Sequence, residues 1–299
     1  MKQIVINKND EGQRLDAFLG KLLKDAPKSL IYKWIRKKRL KVNGKKCEIS
    51  YRLTEGDELS LYINDEFFHD APPPTAFKKD VELKVVYEDE NILIADKKKG
   101  LSSQPDKNSN GESLVEYIRS YLFYKGEYNP EEENTFAPQL CHRIDKNTEG
   151  LVIAAKNAHA LRIINEKIRE REIRKFYLLR AEGEFKEREG IIEGFTKKDE
   201  KTNTVSFSFT PEDGAKRAVT RYQVLDGGYV LAELETGRSH QIRASFAKIG
   251  HPLVGDVKYG AKKTRSKTYQ QLTSAKLIFD FKTDAGILNY LKGKEIERG

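Results

Sequence analysis

Leu151–Ala155, L-V-I-A-A, is an uninterrupted apolar run that begins after Gly150 and ends at Lys156. Five residues are too few for a stable helix, and uniform apolarity rather than alternation marks a strand covered on both faces. A charged cluster, His142, Arg143 and Asp145, precedes it, with Asn147, Thr148, Glu149 and Gly150 between. The charged turn therefore lies at the mouth of a core and is held by a rigid strand, where a reactive carboxylate can be positioned well. Asp145 is the candidate, although an isolated R-x-D also reads as an ion-paired structural turn.

Other segments follow the same logic. Leu83 to Tyr87 and Asn91 to Ala95 read as strands joined by a hairpin, and Gly111 to Tyr124 as a helix. The stretch 124–138, with P-E-E-E-N, reads as an exposed loop. Leu161, Ile164 and Ile168 mark a helix with a charged outer face. Strands are expected over Arg174 to Ala181, Thr204 to Thr210, Arg217 to Leu225 and Tyr229 to Glu235. Ser239 is placed to cap a helix that starts near His240 and carries Arg243 in its early turns. Many strands with few crossover helices predict an α+β domain with a mixed, mostly antiparallel sheet.

The first sixty-odd residues differ. Leu15, Phe18, Leu19, Leu22 and Leu23 recur at helical spacing, and Pro27 breaks the pattern. Ser29 can cap a second helix carrying Ile31, Trp34 and Ile35, and Asn43-Gly44 predicts a tight hairpin. Residues 1–63 hold 15 basic and 8 acidic residues, so +7 of the chain's net +9 lies there. Between Lys33 and Lys46 there are eight basic residues and no acid. This run, which includes Lys33, Arg36, Lys37, Lys38 and Arg39, spans a helix end and a hairpin, a pattern suited to tracking a nucleic-acid backbone. Pro72 to Pro74 form an extended spacer. We therefore expect a small domain over 1–63, a linker over 64–79 and a large domain over 80–299.

Cys47 and Cys141 lie far apart without metal-ligand spacing, and the five histidines show no ligand pairing. The N-terminus lacks the apolar segment of a signal peptide, no window is long and apolar enough for a membrane span, and no phosphate-binding glycine loop occurs. A cytoplasmic protein without cofactor or metal is expected, and a monomer by default.

H-R-I-D-K-N-T-E-G-L-V-I-A-A-K resembles the H-R-L-D-x-x-T-S-G-L segment of the large-subunit ribosomal RNA pseudouridine synthases, the RluA family. G-R-S-H-Q-I-R and G-H-P-L-V-G-D-V-K-Y-G resemble that family's third motif, with Ser245 where histidine is frequent. K-K-K-G-L-S-S-Q-P resembles the first, with Lys98 in place of proline. Q-L-T-S-A-K-L-I-F resembles the last strand, with Thr273 in place of histidine; Glu149 replaces a small residue. The first sixty residues resemble the S4-type RNA-binding domain fused to the family's type C subgroup. The resemblance implies RNA as partner, action on large-subunit rRNA, Asp145 as catalytic carboxylate and Arg243 as its opposing cation. It implies Tyr177 against the target base, and Arg143, Arg238 and His240 in the loop or on phosphate. The tail beyond Phe281 resembles nothing informative.

Overall fold

The computed structural model describes residues 1–68, 77–106, 112–263 and 269–299; Pro72 to Pro74 and Gly111 lie outside them. By compactness the chain divides into two units. One comprises Met1–Val81, Arg119–Pro138 and Lys156–His159, the other Glu82–Ile118, Gln139–Ala155 and Ala160–Gly299.

In the first unit, β1 (Lys2–Val5), β3 (Glu58–Leu61) and β2 (Leu40–Val42) form an antiparallel sheet in the order β1-β3-β2. The predicted apolar spacing puts Leu15, Phe18 and Leu19 of α1 (Leu15–Leu22) and Ile31, Trp34 and Ile35 of α2 (Lys28–Arg36) into its core. Burying a side chain such as Phe18 contributes roughly 1.5–3 kcal/mol. Ser29 does not cap α2. Pro27 occupies the N-cap position at φ −57°, and its carbonyl accepts from Leu30 and Ile31, so the proline itself sets the entry angle. Asn43 and Gly44 both take positive φ (50° and 72°), as the hairpin requires.

The stretch 124–138 corrects the expectation of an exposed loop. Tyr128, Pro130, Phe136 and Pro138 are buried. The Thr135 hydroxyl and Asn134 amide donate to the buried Asp10 carboxylate (2.5 and 2.9 Å), and the Asn7 and Asn9 amides donate to Glu133. Its polar residues are thus spent on partners within the unit, which composition cannot reveal.

The second unit is built on one sheet. Its path joins β10 (Thr204–Ser208), β9 (Glu189–Asp199), β11 (Lys216–Val224), β12 (Tyr229–Leu234), β8 (Ile173–Arg180), β13 (Leu272–Phe279), β7 (Glu149–Ala155), β5 (Ile92–Lys97) and β4 (Lys84–Glu88). β14 (Glu295–Glu297) pairs with β13, and β6 (Gln139–Leu140) with β7. Among the described residues only β13 and β7 run parallel, so the sheet is mixed and mostly antiparallel, the α+β arrangement expected. From Gly150 to Ala155, β7 is buried throughout, flanked by β5 and β13. Gly150 adopts φ +108°, and a Cβ there would collide with the Ser274 backbone oxygen; only glycine permits the approach.

The α-helices described beyond the first unit's α1 and α2 are α3 (Leu114–Tyr124), α4 (Ala158–Arg169) and α5 (Gln241–Lys248). Strand β9 escaped the sequence reading because Gly190 and Gly194 interrupt its apolar pattern. A Cβ at Gly194 would lie 2.5 Å from the Ser208 oxygen, so glycine marks close packing rather than a turn. The tail also has a place. Ala285, Leu288 and Leu291 join the core, and Arg298 pairs with Asp96 and Glu149. Among the described residues, no helix is long and apolar enough to cross a membrane.

Candidate active site

Asp145 sits at the first position of a turn in which the Thr148 N–H donates to the Asp145 carbonyl (3.0 Å). Both flanks are anchored. The Ser103 hydroxyl donates to the Ile144 carbonyl (2.7 Å) and the Gly100 N–H to the Lys146 carbonyl (2.9 Å). Lys97, fully buried, donates to the carbonyls of Lys98, Leu101 and Lys146 at 2.7–3.1 Å. Burial pulls its ammonium down to about 8, while Asp145 and Glu149 act in the opposite direction. The three carbonyl acceptors favour the charged form as well. Lys97 is a strut for the Asp145 loop, and its only trace in sequence is the first lysine of K-K-K-G.

Arg243 faces Asp145 from α5. Its Nη1 lies 3.2 Å from Asp145 Oδ2, while Nε and Nη2 clasp Asp256 at 2.6 and 2.8 Å. Burial works against the guanidinium's charge, but Asp256 and then Asp145 outweigh it, and its pKa is raised. The clasp fixes the guanidinium plane and leaves one N–H edge for Asp145. Tyr259 lies under the same cation, 4.8 Å from its ring centroid. Asp256 and Tyr259 stand in the quoted G-D-V-K-Y-G segment, but sequence reasoning gave neither a role.

Ser239 does not cap α5. His240 is the N-cap residue, in the left-handed region at φ 48°. Its Nδ1 lies 2.8 Å from the Tyr259 hydroxyl, which itself accepts from the Val205 N–H (2.9 Å). If the Tyr259 hydroxyl donates to His240 Nδ1, the ring proton is on Nε2. That Nε2 lies 3.9 Å from Asp145 Oδ1. Burial lowers the His240 pKa, with Asp145 opposing. The Gln241 side chain ties the approach to α5 to the sheet: its Oε1 accepts from Thr236 and the Arg238 N–H, and its Nε2 donates to Val219 and Thr220.

Tyr177, 5% exposed, projects from β8, and burial pushes its phenol well above the usual range despite the Ser274 hydroxyl. His142 is a correction to the charged cluster. Its Nε2 accepts from the Ile153 N–H (3.1 Å), which requires the neutral ring, and burial drops its pKa to about 3. It completes the hydrogen bonding of β7 where β6 ends. Glu149 accepts from Thr273 and pairs with Arg298, so two departures from the family pattern bond to each other beside the loop.

Asp145, Tyr177, Arg243, Arg143, Arg238 and His240 line one cavity of about 410 Å³. Arg143 and Arg238 are exposed, and Arg238 Nε donates to the Arg217 carbonyl. Lys33, Arg36, Lys37, Lys38 and Arg39 belong to the other unit and are exposed. Arg36 and Lys38 line a separate groove there with Lys46, whose pKa Lys38 pushes down. Among the described residues no group of three or more His, Cys, Asp or Glu is placed to hold a metal ion.

The sequence profile of the RNA pseudouridylate synthase family matches residues 91–248, and that of the S4 domain matches residues 13–59. An uncharacterised RNA pseudouridine synthase of Mycoplasma capricolum is 32% identical over 99% of this chain and 97% of its own. The ribosomal large subunit pseudouridine synthase C of Vibrio parahaemolyticus is 30% identical over 89% and 82%. The solved human RNA pseudouridylate synthase domain containing 1 shares the fold at a TM-score of 0.56 and 22% identity, covering 73% of this chain and 83% of that one. A buried sheet that presents a carboxylate to a fixed arginine thus coincides with a profile match over half the chain: the protein belongs to the RNA pseudouridylate synthase family of isomerases and carries an S4 RNA-binding domain at its N-terminal end.

Proposed function

We propose that this enzyme isomerises specific uridines of large-subunit ribosomal RNA, with Asp145 as the acting carboxylate. The observation that carries the reading is Asp145 held 3.2 Å from an arginine whose other edge is clasped by Asp256. The reaction breaks the bond from ribose C1′ to uracil N1, turns the base and rejoins it through C5. No group is lost and no electrons are exchanged, so side chains suffice as catalysts.

The target base leaves the RNA stack and enters the cavity, as bases do in enzymes that act on them. Arg243 holds Asp145 in place for attack on the uracil ring, for attack at C1′, or for removal of a nearby ribose proton. Tyr177 forms the wall against which the base packs. Held protonated, its phenol is a poor acceptor for the C5 proton, which argues for packing rather than proton removal. Arg143 and Arg238, exposed at the cavity, suit the flanking phosphates, and His240 braces the loop through Tyr259. Residues 1–63 act as the RNA-binding module, 64–79 as linker and 80–299 as the catalytic domain. The exposed Lys33, Arg36, Lys37, Lys38 and Arg39 supply sequence-independent affinity. The enzyme works in the cytoplasm as a monomer. The relative named as a large-subunit synthase supports ribosomal RNA as substrate.

Tritium release from C5-labelled large-subunit rRNA tests the reading, with wild type beside Asp145→Asn. Release by wild type alone, with equal RNA affinity in both, is expected. Substantial turnover by Asp145→Asn would sink the assignment of the carboxylate. Release only from another RNA would replace the substrate.

A further inference from the structure

Four cations are buried among the described residues: Lys97, Lys167, Lys175 and Arg243. Three are compensated. Lys97 has three carbonyls, Lys167 has Glu172 and Thr283, and Arg243 has two aspartates. Lys175 is 8% exposed, and among the described residues no carboxylate lies in ion-pairing range and no hydrogen bond engages it. Its ammonium is not sealed in: it is not among the buried, unbonded side-chain atoms, and the residue lines the catalytic cavity. Of the other titratable groups lining that cavity, Asp145 is ion-paired to Arg243, and His142 is neutral, the charge of Lys175 adding to burial in keeping it so. Burial lowers the Lys175 pKa, as it must for an uncompensated ammonium.

Such a residue is a cost to the folded protein unless a ligand supplies the missing charge. Position says which ligand. Lys175 and Tyr177 are two residues apart on β8, both on its buried face, hence about 7 Å from each other along the strand. That separation is about one ribose. With the base against Tyr177, the backbone phosphate of the same nucleotide falls within reach of the lysine.

We propose that Lys175 is the phosphate-binding residue for the nucleotide whose base occupies the cavity, its buried charge left open for RNA to neutralise. The proposal rests on the functional reading above, and it has a signature that a structural lysine would lack. Lys175→Met should raise the melting temperature of the free protein, because it removes an unpaired buried charge, and should weaken RNA binding at the same time.

The test uses the full chain as wild type, Lys175→Met and Lys175→Arg. Melting temperatures are read with and without uridine monophosphate, and binding to a large-subunit rRNA transcript is read across a salt series. Wild type and Lys175→Arg should be stabilised by the nucleotide, and Lys175→Met should not. Lys175→Met should bind the transcript about ten- to one-hundred-fold more weakly, with a log–log salt slope smaller by about 0.7–0.9. An equal nucleotide response and an equal slope in wild type and Lys175→Met would overturn the proposal, as would a lower melting temperature for the free Met variant. If wild type released no tritium while the Lys175-dependent nucleotide response persisted, the isomerase assignment would fall and the phosphate site would stand.

Discussion

The two units use positive charge in opposite ways. In the catalytic unit Arg243 is 7% exposed, clasped by Asp256 and turned on Asp145. In the other unit Lys33, Arg36, Lys37, Lys38 and Arg39 are exposed, and Lys38 faces a second lysine, Lys46, rather than a carboxylate. A charge fixed by buried partners sets the geometry of one neighbour. Charges left in water create a field that any polyanion can answer and that salt screens. On the proposed function, this contrast makes chemistry and affinity separable, one per unit.

The largest effect expected from breaking that division is at Arg243. Arg243→Ala removes the cation facing Asp145 and strands Asp256, which is 2% exposed. Turnover should fall about 10²–10³-fold, and denaturant unfolding should show a loss of about 3–5 kcal/mol. Near-normal kcat would mean that the clasp is structural only. Next, Lys37, Lys38 and Arg39 changed together to Ala should weaken RNA binding and reduce the salt slope by about 0.7–0.9 for each lost phosphate contact. Turnover at saturating RNA should stay as in wild type. A fall in saturated turnover would show that the units share one function, and an unchanged slope would remove these residues from the RNA interface.

The smallest effect concerns His142. Its folded pKa, about 3, lies below the unfolded value of about 6.5. Between those values the unfolded chain binds a proton that the folded chain refuses, so stability falls as pH drops from about 6.5 toward 3 and is unaffected above. His142→Asn keeps an acceptor for the Ile153 N–H and should flatten part of that fall, read as melting temperature between about pH 7 and 5. An identical profile in both proteins would show that the ring is not held neutral.

Much of this was legible in the sequence where local pattern and tertiary role agree. Leu151–Ala155 reads as a strand covered on both faces because uniform apolarity has few other uses. The spacing of Leu15, Phe18 and Leu19 likewise fixes the buried face of α1. What escaped depends on distant partners. Gly194 resembles a strand breaker until Phe207 and Ser208 are seen against it. Lys97 is one lysine of three until three carbonyls converge on it. Ser29 and Ser239 carry the composition of caps, yet Pro27 and His240 occupy the N-cap positions, neither with a side-chain cap bond. The acidic run in 124–138 reads as solvent-facing because nothing local marks Asn7, Asn9 and Asp10 as its partners. Within the site, motif residues such as Asp145 and Arg243 were found, while their supports Asp256, Tyr259 and Lys97 were not assigned.

The parallel pairing of β13 with β7 bears on the order in which the enzyme can be made. Thr273 bonds to Glu149 across 124 residues of chain, Ser274 closes on Gly150, and Arg298 reaches back to Glu149 and Asp96. Asp145 therefore leaves the translating ribosome long before the segments that brace its loop exist. Contacts of such separation form late and slowly. A nascent chain that has already presented its S4 domain still lacks a finished Asp145 loop, so on the proposed function its first encounters with RNA are without chemical consequence.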